Sequence, residues 1–113
     1  MSRKSNAAEI RHRADIFAAL GDPIRLSLVS KLVGGEPCSI AALTEGTKVT
    51  RQAVTKHLRV LESVGVVHST KAGRESLYAL DPQPLLSLQE YLAVISAQWD
   101  QALGSLKTFV EKS

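Results

Sequence analysis

One stretch of this sequence, residues 39–59, constrains the fold more than any other because it has the pattern of two short helices joined by a tight turn. It opens at Ser39, a residue type that caps helix N-termini, and Gly46 suits a helix end because glycine adopts the left-handed conformation without steric cost. A three-residue turn, 47–49, then leads to Thr50, a second N-cap residue. The stretch predicts a helix-turn-helix, a motif that places its second helix in the major groove of DNA.

The second of these helices is predicted over about 51–64 and has two faces. Val54, Leu58 and Leu61 recur at helical spacing, so one stripe is buried. The opposite face carries side chains that bond base edges or phosphates. The DNA-contacting residues predicted for this helix are Arg51, Gln52, Thr55, Lys56 and Arg59. His57 lies between the two faces, where packing against a neighbouring helix is favoured over a phosphate contact.

Upstream of this motif the sequence predicts two more helices. Residues 1–6 are interpreted as a disordered tail, and apolar residues at helical spacing predict the first helix over about 7–20. Gly21 ends that helix, while Asp22 and Pro23 start the second, since aspartate caps a helix and proline needs no N–H in its first turn. The buried residues predicted for the second helix, over 23–33, are Leu28, Val29, Leu32 and Val33.

Downstream of the motif, two β-strands are predicted over 66–70 and 76–80. They flank a five-residue loop, 71–75, which contains glycine and is typical of a hairpin connection. Lys71 and Arg74 make this loop basic, and a basic hairpin directly after a recognition helix is a wing that reaches the DNA backbone or the minor groove. The predicted element order is α-α-α-α-β-β-α, a mainly helical α+β fold with a small β-hairpin.

The last predicted helix, about 84–111, carries apolar residues spaced alternately by three and four positions. This pattern over three heptads is typical of a helix with a helical partner. At 1.5 Å per residue the helix is about 40 Å long, more than one small domain covers. A homodimer is therefore predicted, with the first helix helping to frame the interface. The predicted interface residues are Phe17, Leu88, Leu92, Ile95, Trp99 and Leu106.

Charge and composition agree with a DNA partner. The net charge of the chain is +3, and residues 48–76 alone carry +4, so the positive charge is concentrated in the helix-turn-helix and the wing. With 113 residues there is room for one domain, 7–113. One cysteine excludes an intramolecular disulfide, no apolar run reaches the roughly 20 residues that cross a bilayer, and the N-terminus lacks a signal-peptide pattern. We expect a cytoplasmic protein.

Several blocks of the chain stand in the order and at the spacing of one known family. They are Phe17-Ala-Ala-Leu-Gly-Asp-Pro-Ile-Arg25, Thr50-Arg-Gln-Ala-Val-Thr-Lys-His-Leu-Arg-Val-Leu-Glu62, Gly65-Val-Val67, and Ala72-Gly-Arg-Glu75 with Leu77-Tyr78. In these blocks the chain resembles the arsenic-repressor (ArsR) family of winged-helix regulators. The resemblance implies an operator-binding repressor that dimerises through its first and last helices. The residues that it implies for DNA contact are Thr50, Gln52, Thr55, Lys56 and Arg59 on the recognition helix and Arg74 on the wing.

Many members of the family that the chain resembles sense metals through paired thiolates or through Asp, His and Glu sets on the last helix. This chain has only Cys38 at the first place and no histidine or cysteine in the last helix, whereas Zn²⁺ and As(III) want three or four ligands. We therefore predict no metal site and no cofactor. A redox role of Cys38 and an effector pocket at Tyr91 and Trp99 are alternatives to structural roles, and the class of any small-molecule effector stays open.

Three other functions fit the sequence less well. No glycine-rich phosphate loop, nucleophile elbow or pair of carboxylates indicates an enzyme. A weakly specific architectural DNA binder, held by phosphate contacts alone, is the main alternative, although Gln52 and Thr55 are side chains that read bases. A winged helix used for protein–protein contact is disfavoured because the +4 segment would repel all but acidic partners. We predict a sequence-specific transcriptional regulator without enzymatic activity.

Overall fold

Five helices and three strands make up residues 3–112, the part of the chain that the computed structural model describes. In chain order they are α1 (Arg3–Leu20), α2 (Pro23–Leu32), β1 (Cys38–Ser39), α3 (Ile40–Thr44), α4 (Arg51–Ser63), β2 (Val67–Ala72), β3 (Glu75–Leu80) and α5 (Pro82–Lys112). The predicted fold class, a mainly helical winged helix-turn-helix, is confirmed. Helices α3 and α4 form the helix-turn-helix, and strands β2 and β3 form the wing.

Side-chain caps confirm three of the predicted helix starts. The Asp22 carboxylate accepts hydrogen bonds from the backbone N–H groups two and three residues later, at 2.9 and 3.0 Å. The hydroxyl oxygens of Ser39 and Thr50 each accept from the N–H group three residues later, both at 3.1 Å. Such bonds satisfy N–H groups that have no partner inside the helix, which fixes where each helix begins. Gly46 follows α3 at φ +78°, the left-handed conformation predicted for it.

The core lies where helices α1 to α4 meet the base of the wing. The stripe of α4 predicted to be buried, Val54, Leu58 and Leu61, is fully shielded from solvent. This burial fixes the rotation of α4 about its own axis, because the three side chains share one face of the helix. The rest of the fully buried core comprises Ile16, Leu28, Leu32, Leu43, Val66 and Val67.

Helix α2 differs from the prediction at its C-terminal end. Leu28 and Leu32 are buried as predicted, but Val29 is only partly buried and Val33 is 67% exposed. The helix ends at Leu32 rather than at Val33, and the chain turns soon afterwards through Gly35 at φ +84°. Val33 is therefore a helix-terminal residue at the surface, where its apolar side chain has no facing element.

A third strand, β1, was missed in the sequence. Its two residues pair antiparallel with β3, Cys38 opposite Tyr78 and Ser39 opposite Leu77, so the sheet order is β1-β3-β2. Two residues are too few to show the alternating pattern by which a strand is identified. The pairing has a structural consequence, because it ties the start of α3 to the inner strand of the wing.

The wing has a tighter turn than the predicted five-residue loop. The β2–β3 ladder continues through Lys71 opposite Ser76 to Ala72 opposite Glu75. Only two residues remain in the turn, Gly73 at φ +64° and Arg74 without a positive φ, the sign pattern of a type II′ hairpin turn. Lys71, Glu75 and Ser76 are polar and have low β-propensity, so the sequence did not mark them as strand residues. The twist of a type II′ turn matches the twist of the flanking strands, so the strands pair up to the turn.

Helices α1 and α5 both extend beyond their predicted ends. Helix α1 begins at Arg3 instead of residue 7, so the predicted tail 1–6 is helical from Arg3 on, while Met1 and Ser2 lie outside the described residues. Residues 3–6 are polar and show no helical spacing of apolar residues, so the sequence did not predict them to be helical. They extend a helix that is already nucleated, and extension costs less free energy than nucleation. Helix α5 spans Pro82–Lys112, where Pro82 occupies the first turn and the Asp81 carboxylate accepts from the backbone N–H of Gln83 at 3.0 Å.

The far half of α5 projects from the body of the molecule, whose longest dimension is 68 Å. With 31 residues the helix is about 46 Å long. Trp99, Leu106 and Phe109 are 63, 58 and 71% exposed. In the described part of the chain, neither α5 nor any other helix is long and apolar enough to cross a membrane.

Candidate DNA interface

The exposed face of α4 follows directly from the burial of its opposite stripe. Arg51, Gln52, Lys56 and Arg59 are exposed and Thr55 is partly buried. All five were predicted to contact DNA, and the structure places them on one side of one helix. Each is held there because Val54, Leu58 and Leu61 anchor the other side of the helix in the core.

An open groove of about 530 Å³ lies between α4, the start of α3 and the wing. The six predicted DNA-contacting residues that line it are Arg51, Gln52, Thr55, Lys56, Arg59 and Arg74. Thr50 caps the same helix, whereas Lys71 lies on β2, exposed and outside the groove lining. The tight turn of the wing brings Arg74 to α4, although the two are far apart in sequence.

The sequence analysis missed several residues of this groove. Ser39, Ile40 and Ala41 line it from β1 and α3, and Glu75 and Ser76 line it from the wing. None of them stands in a pattern that marks a DNA contact, because their position depends on the β1–β3 pairing. Among the lining residues Glu75 is acidic, and it stands against four cationic side chains.

The two threonine hydroxyls of this face have different hydrogen-bonding roles. Thr50 Oγ1 accepts from the N–H of Ala53, so its own hydrogen remains available as a donor. Thr55 Oγ1 instead donates to the carbonyl of Arg51 at 2.8 Å, which leaves oxygen lone pairs and a methyl group facing the groove. Thr50 is therefore a donor at the helix N-terminus, and Thr55 is an acceptor with an apolar contact surface.

A joint made by Arg25 fixes the middle of α4 against α1 and α2. The Arg25 guanidinium donates to the carbonyls of Ala18 and Ala19 at the end of α1, and its Nη1 lies 3.2 Å from His57 Nδ1. A guanidinium only donates, so in this contact the unprotonated Nδ1 of an imidazole is the acceptor. His57 thus packs at a helix joint, the interpretation favoured in the sequence analysis, whereas no sequence pattern identified Arg25 as its partner.

Asp22 belongs to the same joint, and its pKa is held below the ordinary value of 3.8. The largest cause is the hydrogen bond from the backbone N–H of Arg25, with smaller contributions from the charge of His57, the N–H of Ile24 and the charge of Arg25, against an opposing effect of desolvation. His57 Nδ1 lies 3.8 Å from the Asp22 carboxylate. The charged form of Asp22 is thereby favoured in the folded protein.

The wing is fixed to the helical body at its base by hydrogen bonds to two carboxylates, those of Glu62 and Asp81. The Glu62 carboxylate at the end of α4 accepts from the N–H and the hydroxyl of Ser69, at 3.2 and 2.7 Å. His68 Nε2 lies 2.8 Å from the Asp81 carboxylate at the start of α5. The pKa of Asp81 is lowered, first by the hydrogen bond from the backbone of Gln83 and then by that from His68. These contacts orient β2 relative to both neighbouring helices.

The residues predicted for a dimer interface separate into two groups. Leu88 is 4% exposed and belongs to the core of the single chain, which leaves it almost no surface for a second copy. The heptad spacing placed Leu88 in the seam, but α5 meets α1 at this level and buries it there. The residues that keep accessible surface are Phe17, Leu92, Ile95, Trp99 and Leu106.

Metal-binding chemistry has little support in the groups that the structure places together. Within residues 3–112 no three His, Cys, Asp or Glu side chains lie close enough to hold a metal ion. Cys38 is partly buried on β1, with its Sγ 3.5 Å from the carbonyl oxygen of Glu36. His68 forms a hydrogen bond with Asp81.

Comparison with known proteins agrees with this architecture. A helix-turn-helix domain model matches residues 8–70, more than half of the chain. The chain is 35% identical to an ArsR-like transcriptional regulator from Rhodococcus sp. RHA1, with a TM-score of 0.75 over 88% of this chain and 93% of that one. This chain belongs to the ArsR family. The resemblance noted in its sequence is confirmed, and this ArsR-family chain contains a helix-turn-helix domain.

Two further relatives extend the comparison. This ArsR-family chain is 35% identical over 95 residues to the HTH-type transcriptional regulator Rv2034 of Mycobacterium tuberculosis, covering 84% of this chain and 85% of that protein. It is 34% identical over 85 residues to a transcriptional repressor SmtB homolog of Synechocystis sp., covering 75% of this chain. There it spans 64% of the relative, slightly under two thirds of its length.

The joint at Asp22 predicts a pH-dependent contribution to stability. Because the folded pKa is lowered, this contribution is present above the unfolded value near 3.8 and is lost as the pH falls through the folded value. Asp22→Asn keeps a capping oxygen but removes the charge. We expect urea unfolding to show wild type more stable than Asp22→Asn at pH 6, with the difference shrinking below about pH 4.

Asp100→Asn on the exposed part of α5 is the matched control and should stay close to wild type throughout this range. A difference between wild type and Asp22→Asn that does not change from pH 6 to pH 3 would contradict the role assigned to the charge.

Proposed function

We propose that this ArsR-family protein is a sequence-specific repressor that binds an inverted-repeat operator as a homodimer. Helix α4 enters the major groove, and the tip of the wing meets the backbone or the minor groove. The observation that carries the proposal is the groove in which Gln52 and Thr55 stand among Arg51, Lys56 and Arg59. Neutral base-reading side chains surrounded by cations suit a helix that reads bases between two phosphate strands.

Within this arrangement we assign base contacts to the centre of the groove and phosphate contacts to its edge. Gln52 has the amide that bonds adenine bidentately, and Thr55 offers lone pairs and a methyl group, which suits a base amino group or a thymine methyl. Thr50 donates its free hydroxyl hydrogen to a phosphate at the helix N-terminus, where the helix dipole also favours an anion. We assign phosphate or guanine contacts to Arg51, Lys56 and Arg59.

The wing supplies the second set of contacts. Arg74 at the turn reaches into the same groove as α4, so one protein surface spans the major groove and its bordering backbone. Lys71 lies further down β2 and adds phosphate attraction from outside the groove. Glu75 repels phosphate, which argues against a surface built for backbone contacts alone and favours sequence reading over the architectural alternative.

The homodimer is supported by the apolar surface that the single chain leaves in solvent. Trp99 and Leu106 lie on the part of α5 beyond α1, and Leu92 and Ile95 continue the same seam toward Phe17. Large exposed apolar patches on a small protein mark interaction sites, and a heptad seam is self-complementary. The repressor assignment draws on the Synechocystis relative, which is named a transcriptional repressor.

The operator prediction is tested by selecting DNA on the purified protein at physiological salt, from random duplexes with competitor present. We expect an inverted repeat whose half-sites lie about 10 base pairs apart, since a twofold dimer with one α4 per half-site requires a spacing near 34–36 Å. Retention without a consensus would favour the architectural alternative, and no retention would favour a protein partner.

Gln52→Ala tests base reading. It should weaken binding to the selected site by about 1–3 kcal/mol while leaving binding to unrelated DNA nearly unchanged, because a lost base contact removes discrimination. Fluorescence anisotropy with both duplexes measures the two losses. The control, Lys56→Ala, should weaken both and reduce the salt dependence, as loss of a phosphate contact does. Equal losses for Gln52→Ala on the two duplexes would remove Gln52 from base reading.

Trp99→Glu tests the seam. A carboxylate at the centre of an apolar interface is desolvated without a partner, so sedimentation velocity should show monomers and the operator affinity should fall. Gln101→Glu adds the same charge to the same helix off the seam and should remain dimeric. If Trp99→Glu sediments as a dimer, the two copies meet at some other surface.

A further inference from the structure

A small pocket between α1 and α5 contains an arginine donor that has no acceptor. The pocket measures about 170 Å³ and shares no lining residue with the α4 groove. Its walls are apolar apart from one guanidinium and one phenol. The residues that line it are Ile10, Arg13, Ala14, Phe17 and Tyr91.

Arg13 occupies this pocket in an unusual electrostatic situation. Its guanidinium carbon lies 5.1 Å from the centre of the Tyr91 ring, a cation–π distance. Its Nε is shielded from solvent and has no hydrogen-bond partner among the described residues. Removing an arginine N–H from water without giving it an acceptor costs free energy, so such a group points to an acceptor that arrives from outside the chain.

The aromatic contacts leave the guanidinium ready for an anion. The Tyr91 ring offers the guanidinium no hydrogen-bond acceptor oxygen, and the N–H edge of a guanidinium is where a carboxylate binds bidentately. Phe17 packs against Tyr91 with ring centres 6.4 Å apart, so the aromatic wall is itself fixed. Ile10 and Ala14 complete an apolar surround, which suits a ligand with an apolar body behind its charged group.

The size of the pocket limits the ligand. Its volume of about 170 Å³ is below the roughly 300 Å³ at which pockets for drug-sized ligands begin. This holds one ring or a short branched chain with its carboxylate. A side-chain carboxylate from a second copy would satisfy Arg13 but leave most of the volume empty, whereas protein interiors and interfaces are close-packed. A free small acid would supply the acceptor for Arg13 and also fill the pocket.

We propose that Arg13, with Tyr91 and Phe17, binds a small carboxylic acid that has a flat or compact apolar body. Helices α1 and α5 then carry a ligand site on the two elements that frame the proposed dimer. An acid bound there couples to DNA by changing how α1 packs on α5, and through them the spacing of the two α4 helices. Only this coupling rests on the proposed function; binding of the acid does not.

Calorimetry on the purified protein without DNA tests the site, with benzoate and benzamide as probes. The two probes share one shape, and only benzoate carries the charge that Arg13 recognises. We expect benzoate to bind wild type at least about tenfold more tightly than benzamide, since a bidentate charge-assisted pair is roughly twice as strong as a neutral one. Arg13→Met should abolish this preference, and Arg13→Lys should keep part of it because lysine retains the charge without the fork.

Arg11→Met removes a charge from the exposed side of the same helix and should bind benzoate as wild type does. Circular dichroism checks that each variant is folded. If Arg13→Met does not fold, the benzoate-to-benzamide ratio of wild type and of Arg13→Lys decides the question. Equal binding of the two probes, or unchanged benzoate binding by Arg13→Met, would overturn the proposal.

Sedimentation separates a free acid from a carboxylate of the second copy. If wild type is dimeric, binds no benzoate, and Arg13→Met becomes monomeric in buffer free of carboxylates, the acceptor belongs to the partner copy and the ligand site is refuted. If benzoate binds as expected but selected DNA is unaffected, the site stands and the coupling to DNA fails. A protein that binds benzoate but retains no DNA would refute the proposed function alone.

Discussion

The buried stripe of α4 is the constraint on which the rest of this molecule depends. Val54, Leu58 and Leu61 are fully shielded from solvent, and burial of three aliphatic side chains on one face allows the helix only one rotation. A turn of the helix by one residue would expose part of this stripe and bury a cation without a partner. The groove-facing positions of Gln52 and Thr55 are thus a consequence of packing on the opposite side.

Rotation alone does not place the helix relative to the other elements, and polar joints do this. Arg25 connects the carbonyl end of α1 with His57 in the middle of α4. Glu62 connects the end of α4 with Ser69 at the base of the wing. A hydrogen bond has a short range and a preferred angle, so each joint fixes a distance that apolar contact would leave adjustable. The Glu62 joint holds the wing, one wall of the groove, against α4, and the β1–β3 pairing connects the wing with the start of α3.

Helices α1 and α5 carry exposed apolar surface that is separate from the groove at α4. Leu88 is the buried residue of α5, Tyr91 and Ile95 beyond it are partly buried, and Trp99, Leu106 and Phe109 are exposed. The pocket at Arg13 and Tyr91 lies near this transition, between the covered part and the free seam. Its position makes the α1–α5 contact a place where a second molecule, large or small, would influence the shape of the proposed dimer.

The sequence by itself determined the elements whose signals are local. Thr50, Ser39 and Asp22 set helix starts because a capping side chain bonds an N–H only two or three residues away, and the 3.6-residue period revealed the stripe of α4. The tertiary structure alone decided the β1–β3 pairing, the partner of His57, the burial of Leu88 and the unpaired Nε of Arg13. These depend on residues far apart in the chain, and contacts at such separation leave no periodic trace in either segment.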